Sequence, residues 1–252
     1  MKWVRRIIIL LLVIAVIFQF CYTRTSIQSI SNGLIMLKNN VAELIQNIEH
    51  KPDFDKMKLT TVQIKVGKPG GAGIIIKGTK NYLYILTARH IVDRRGKIVI
   101  KIRKGLEVGE FVIVKDVDRK NIYQDAKVDL ALIKVLKPFE NIPYLKLGEN
   151  TPNVGTKIYT IGHPFCFAYT INEGIVTNYT KRFSCTGRKE EYLQSNAPAM
   201  NGSSGGAVVN GDTAVVGISI GIMYIEKTLF PNYSFATKLE DIKRFLKKVE
   251  EK

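Results

Sequence analysis

Three short stretches of this chain hold the residue types that acyl transfer requires, in the order His, Asp, Ser. Thr87-Ala88-Arg89-His90 ends in an imidazole. Val128-Asp129-Leu130-Ala131-Leu132 carries a carboxylate at the head of an apolar run, and Asn201-Gly202-Ser203-Ser204-Gly205-Gly206 sets hydroxyls among glycines. A serine hydroxyl is a weak nucleophile at neutral pH because its proton must leave as the oxygen attacks. An imidazole takes that proton, and a buried carboxylate fixes the imidazole tautomer and stabilises the imidazolium. The glycines around Ser204 let the backbone turn so that the N–H groups of Gly202 and Ser204 face a developing oxyanion. Singly these stretches are ordinary: strand-end histidines, strand-start aspartates and Gly-Ser turns are mostly structural. In this order they predict Ser204 as nucleophile, His90 as base and Asp129 as the acid that orients His90.

The same residues resemble the trypsin-like (chymotrypsin-fold) serine peptidases, and within them the HtrA/Deg-like branch. Ser204 stands third in a G-x-S-G-G pattern, His90 ends a T-A-x-H strand, and Asp129 opens a D-L-A-L-I-K-V strand. Ile161-Gly162-His163-Pro164-Phe165 is similar to the I-G-N-P-F turn of that branch. Gly174-Ile175-Val176 is similar to its G-I-V strand, and Gln194-Ser195-Asn196-Ala197-Pro198-Ala199 sits where Q-T-D-A-A-I is usual. The resemblance covers residues 59–249. It implies a serine endopeptidase acting on protein or peptide substrates through an acyl-enzyme, with no cofactor and no metal. It assigns the oxyanion hole to Gly202, Ser203 and Ser204. The pocket for the side chain before the scissile bond falls to Pro198, Ala199, Met200, Ile218, Ser219 and Ile220. None of these is a carboxylate, so a substrate Lys or Arg has no charge partner there and small or medium aliphatic side chains are expected. Two features depart from the branch. Ser203 replaces the usual Asn or Asp before the nucleophile, which leaves its hydroxyl as an alternative attacker. The chain ends at Lys252, so no PDZ domain is expected after the peptidase.

The elements that must position these residues are β-rich. From Leu59 the pattern is short β-branched runs broken by glycine and asparagine, with strands expected at 61–66, 73–77, 82–87, 98–102, 111–116 and 130–135. A second set is expected at 157–161, 169–178, 192–195, 207–210, 215–222 and 234–237. Leu239, Ile242, Phe245, Leu246 and Val249 recur at helical spacing, which predicts a basic C-terminal helix over 239–250. The fold class expected is mainly β: two antiparallel six-stranded barrels, one over 58–137 and one over 143–238. The catalytic cleft lies between them, with His90 and Asp129 from the first and Ser204 from the second.

Residues 1–24 form a different solvent problem. Residues 7–18 are uninterrupted apolar, extended by Phe20, Cys21 and Tyr22, with Lys2, Arg5 and Arg6 before them. This charge bias predicts a signal anchor with its N-terminus in the cytoplasm and the remainder, as a single-pass cell-membrane protein, outside. A cleaved signal peptide, which would release a secreted enzyme, is the competing expectation; bulky Phe20 and Tyr22 stand where small residues precede cleavage. Residues 25–57 are expected as an amphipathic helical linker. Ile27, Ile30, Leu34, Leu37, Val41, Leu44 and Ile48 repeat at alternating spacings of three and four, which suits a coiled coil in a homo-oligomer or a helix lying on the barrel or the membrane.

The net charge is +16, of which residues 1–24 supply four positive charges, leaving +12 over the rest. A spread excess of this size is compatible with anionic lipid, cell-wall polymer or a merely solvated surface. It contains no arginine-rich block or aromatic-interleaved stripe, which argues against a specific nucleic-acid partner. Outside the cytoplasm Cys166 and Cys185 are permitted a disulfide. His163 and Cys166 are only two of the three or four ligands a zinc site needs, and His163 reads as a loop histidine. Asn178, Asn201 and Asn232 head glycosylation sequons, the second on the oxyanion loop, which argues for a host that does not glycosylate the chain. Three readings leave the sequence: an active membrane-tethered endopeptidase, a peptidase-like module that binds without cleaving, and a latent enzyme gated by assembly through residues 27–48.

Overall fold

The period-two alternation that begins at Thr61 becomes thirteen strands among the described residues of the computed structural model. Those residues are 10–14, 33–41, 51–67, 70–107, 109–115, 117–164, 169–180, 191–225 and 228–251. By its internal packing the chain divides into Met1–His50 and Lys51–Lys252. In the first part, residues 10–14 and 33–41 are helical, and Leu34, Ile35 and Met36 are exposed. Among the described residues no helix is long and apolar enough to cross a membrane. Most of the expected anchor, and the seam positions Ile27, Ile30, Leu44 and Ile48, lie outside them.

In the second part, helix α1 (Phe54–Thr60) comes first, and the Asp53 side chain accepts a hydrogen bond from Lys56 N at 2.8 Å as its N-cap. Helix α1 runs directly into β1 (Thr61–Lys65) and places Met57 fully inside the core. Strands β2 (Gly71–Gly78), β3 (Tyr82–Ala88), β4 (Val99–Arg103), β5 (Phe111–Val114), β6 (Ile122–Asp125) and β7 (Leu130–Leu136) follow, with the short helix α2 (Arg89–Val92) after β3. Their spatial order is β5-β4-β1-β2-β3-β7-β6, a seven-stranded antiparallel sheet whose two end strands are not hydrogen-bonded to each other. This corrects the expected closed six-stranded barrel. The added strand β6 is only four residues long and follows a turn capped by Asp118, so its alternation is too brief to stand out from the surrounding loop.

The second set does close. Strands β8 (Lys157–Gly162), β9 (Thr170–Thr180), β10 (Tyr192–Ser195), β11 (Ala207–Val209), β12 (Val215–Ile225) and β13 (Thr228–Lys238) form a barrel in the order β10-β13-β12-β11-β8-β9. The β12–β13 hairpin is longer than alternation suggests. Its register jumps between Ile222↔Ser234 and Met223↔Phe230, and Pro231, which has no N–H to give a ladder, falls in that irregularity. Helix α3 (Leu239–Glu250) ends the fold as expected, with Glu240 and Asp241 in its first turn and Lys247 and Lys248 in its last, the charge order that suits its dipole.

Successive residues on one strand serve different cores. Ile75, Ile85 and Ile133 point into the first sheet with Val62, Ile64 and Ile100. Their neighbours Ile74, Leu86 and Leu132 point the other way, into a core shared with Ile161, Ala207 and Val209 of the barrel and with Ile242 and Phe245 of α3. A fully buried aliphatic side chain contributes about 1.5–3 kcal/mol relative to an exposed one. The shared core therefore docks the two sheets as one body, and the face between them is where a cleft can be held rigidly.

Candidate active site

The β3–β7 pairing builds the first half of the site. Its register sets Ala88 opposite Leu130, so the residues just beyond, Arg89-His90 and Asp129, meet at one end of the sheet. Arg89 N donates to the Asp129 carbonyl at 2.9 Å. His90 N donates to Asp129 Oδ1 at 3.0 Å, and His90 Nδ1 lies 2.8 Å from Asp129 Oδ2. Nδ1 can bond an ionised carboxylate only as a donor, so this contact assigns a proton to Nδ1, and in the neutral imidazole Nε2 is then the acceptor. The Asp129 side chain is 6% exposed and that of His90 34%: the carboxylate is shielded while the imidazole opens to solvent. Asp129 adopts φ +57, a left-handed conformation that a short polar side chain tolerates better than most.

The second half is the turn before β11. Gly205 N donates to Ser219 O at 2.7 Å and Ser219 N to Gly206 O at 2.9 Å, which ties the turn to β12. Ser204 O accepts from Ala72 N of β2 at 2.8 Å, which ties it to the first sheet. Gly205, at φ +85, touches the Ala72 carbonyl and the Thr87 hydroxyl so closely that any Cβ there would collide with both. Thr87 is held in turn by donating to Ala72 O at 2.6 Å. Gly71 has room for no side chain between Ile91, next to His90, and the Ser204 carbonyl. The backbones bearing His90 and Ser204 thus converge on the Gly71-Ala72 strand start. The Gly70-Gly71 pair ahead of an apolar strand is the sequence signal for that close approach. Among the described residues no hydrogen bond joins the Ser204 hydroxyl to the His90 ring; such contacts commonly tighten only when substrate binds.

The oxyanion-loop residues divide. Ser203 N donates to Met200 O at 2.9 Å, and the Ser203 hydroxyl accepts from Met200 N at 3.3 Å. Its amide is therefore already bonded within the turn. The carbonyl of the same peptide, Gly202 O, accepts from His163 N at 3.3 Å. With both polar ends of the Gly202–Ser203 peptide anchored, the amides of Gly202 and Ser204 are left without a hydrogen-bond partner among the described residues.

Of the six expected pocket residues, Pro198, Met200 and Ile220 keep partial exposure. Ala199 and Ser219 are buried, and Ile218 is wholly enclosed in the core between the sheets. Ile220 packs against the first sheet's core. Asn172 Nδ2 donates to Pro198 O at 2.9 Å, fixing that segment against β9. Cys166 and Cys185 lie outside the described residues, and with them the possible disulfide and the His163–Cys166 pair.

His163 lies in the loop just after β8, as expected, and is buried there as a support. It is 3% exposed, its Nδ1 accepts from Tyr169 N at 3.4 Å, and its ring meets that of Tyr169 edge-on at 4.6 Å. Burial pushes its imidazole down to about 4, and the Arg103 guanidinium adds to this, against the opposing Val62 carbonyl. Below pH 6.5 the unfolded chain takes up a proton here that the folded chain refuses, so stability falls as pH drops from 6.5 towards about 4. The full window is worth on the order of 3 kcal/mol. His163→Asn is expected to flatten the urea midpoint measured against pH over this interval; a curve parallel to that of the native chain would refute it.

An open antiparallel sheet and a closed barrel, with a His–Asp pair on the first and a Gly-Ser turn from the second, define a chymotrypsin-like peptidase domain. Residues 71–218 match the family model of the trypsin-like peptidase domain, and the chain belongs to that family. It is 32% identical over 155 residues to a probable periplasmic serine protease do/HhoA-like of Haemophilus influenzae, covering 61% of this chain and 31% of that protein. With the periplasmic serine endoprotease DegP of Salmonella typhimurium it shares 30% over 154 residues, 61% of this chain and 30% of the relative. The chain thus spans about a third of the length of these relatives. Among solved structures, the HtrA-type protease AlgW with a tripeptide superposes with TM-score 0.62 at 22% identity, over 79% of this chain and 64% of that one. A serine endoprotease of Yersinia pestis gives 0.58 at 23%, over 78% and 66%.

Proposed function

We propose that the chain is a serine endopeptidase of the HtrA/Deg-like branch, with Ser204 as nucleophile, His90 as general base and then acid, and Asp129 as the residue that orients His90. The bond of 2.8 Å between His90 Nδ1 and the shielded Asp129 carboxylate is the observation that carries this reading. It leaves Nε2 unprotonated on the open side of the ring, the state needed to accept the Ser204 proton. Attack on the peptide carbonyl forms a tetrahedral oxyanion within reach of the Gly202 and Ser204 amides. His90 then hands its proton to the departing amine, and the acyl-enzyme is released by water activated in the same way. The engaged Ser203 hydroxyl supports Ser204 over Ser203 as the attacking group. Small or medium aliphatic side chains are favoured before the scissile bond, because no carboxylate stands among Pro198, Met200 and Ile220 to pair with a basic one.

The relatives named as periplasmic support an extracytoplasmic peptidase domain. Tethering by the apolar segment at 7–22, with self-association through 27–48, completes the proposal. A latent form is the second reading, favoured by the lack of a Ser204–His90 hydrogen bond among the described residues. A fluorophosphonate probe followed by peptide mapping tests both. Labelling confined to Ser204 at every protein concentration is expected. Labelling only in the oligomer establishes the latent form, and none at all leaves a binding module. In a peptide library, cleavage after arginine would overturn the pocket assignment.

A further inference from the structure

The acid of the proposed triad is gripped from both sheets. From its own side, Arg89 N and His90 N bind the Asp129 carbonyl and Oδ1. From the barrel, Thr237 Oγ1 donates to the carbonyl of Val128 at 2.9 Å, across 109 residues of sequence. Thr237 is fully enclosed on β13, paired with Tyr192 on β10 and Ile218 on β12, and Val128 belongs to the core between the sheets. The carbonyl it holds is half of the Val128–Asp129 peptide, the plane from which the Asp129 φ of +57 departs.

That geometry matters because a left-handed φ is disfavoured for a residue with a Cβ and persists only where the surroundings over-determine it. If the Val128 carbonyl is released, the peptide can rotate and Asp129 can relax to negative φ. The carboxylate then swings relative to the two nitrogens of His90 that it binds. We propose that Thr237 is a positioning residue for the acid: its hydroxyl, supplied by the barrel, holds the Val128–Asp129 peptide so that the carboxylate meets His90. Docking of the barrel then delivers Ser204 and sets the acid in one event, although His90 and Asp129 both lie on the first sheet. The inference rests on the proposed triad.

The test compares Thr237→Val and Thr237→Ser in the full-length chain on labelled casein, with thermal denaturation alongside. Thr237→Val keeps the side-chain volume and removes the donor. It is expected to lower kcat by about ten- to a hundredfold, the scale of a small misplacement near a reacting group, with KM within about twofold. Thr237→Ser restores the donor and kcat. In an Asp129→Ala background, followed by the rate of fluorophosphonate labelling, Thr237→Val is expected to cause no further loss, because the group it positions is gone. A folded Thr237→Val with native kcat overturns the proposal, as does an equal loss in the Asp129→Ala background. Should Thr237→Val not fold, Thr237→Cys, a weaker donor of similar size, carries the same comparison. If neither folds, the hydroxyl is a folding determinant and the positioning role is rejected. Full activity of Ser204→Ala would instead remove the triad itself, whatever Thr237 does.

Discussion

Replacing Ser204 by alanine is expected to lower the rate of peptide hydrolysis by about 10⁶, the loss measured when the nucleophile of a comparable triad is removed. The change is confined to the hydroxyl. The backbone contacts that seat the turn run through the Ser204 carbonyl to Ala72 N and through Gly205 N to Ser219 O, and alanine keeps both. Thermal stability is therefore expected to move by only a few tenths of a kcal/mol, within the range of changes that break no buried bond. Ser203→Ala is the control. It removes a hydroxyl that closes the turn onto Met200 N, and most activity should remain. The measurement is hydrolysis of labelled casein with the folded state checked by denaturation. Near-native activity in Ser204→Ala, or a complete loss in a folded Ser203→Ala instead, would move the nucleophile.

Asp129→Asn should be the next most damaging change, with kcat falling by about 10⁴ and KM little altered. Two nitrogens converge on this carboxylate, His90 N at 3.0 Å on Oδ1 and His90 Nδ1 at 2.8 Å on Oδ2. An ionised carboxylate accepts both. A carboxamide has one acceptor and one donor, so only one of the two bonds survives as it stands. If the amide oxygen keeps His90 N, the amide nitrogen faces Nδ1 and can bond it only when Nδ1 is unprotonated. The proton then sits on Nε2, which cannot take one from Ser204. Asparagine nearly matches aspartate in size and, like it, tolerates positive φ, so the strained turn stays intact. Steady-state kinetics at neutral pH checks the result, and a drop of less than tenfold would remove Asp129 from the proton-transfer machinery.

Much of this was legible in the sequence. The alternation in Leu83, Ile85 and Thr87, and the glycines flanking Ser204, are local patterns that report strand and turn without knowledge of any partner. The C-terminal helix was readable for the same reason, since Leu239, Ile242 and Phe245 repeat on one face. Strand β6 was not, because four residues with a single apolar side chain on each face are too few to show an alternation, and the strand is defined by its pairing with β7. The different bonding of the two serines in the Gly-Ser turn was also hidden. Ser203 and Ser204 are identical in type, and only the fold of the turn onto Met200 separates them.

The sequence by itself determined which groups are the candidates for chemistry and in what order they occur: an imidazole, a carboxylate and a hydroxyl, each beside the strand or turn that presents it. The tertiary structure alone decided that the first sheet stays open with seven strands, that His163 is a buried support beneath Gly202, and that a hydroxyl from β13 holds the peptide before Asp129. The physical reason is the range of the interactions. Strand and turn propensity act over a few residues and leave a periodic trace. Hydrogen bonds such as that between Thr237 and Val128 join residues 109 positions apart and exist only once two sheets have docked.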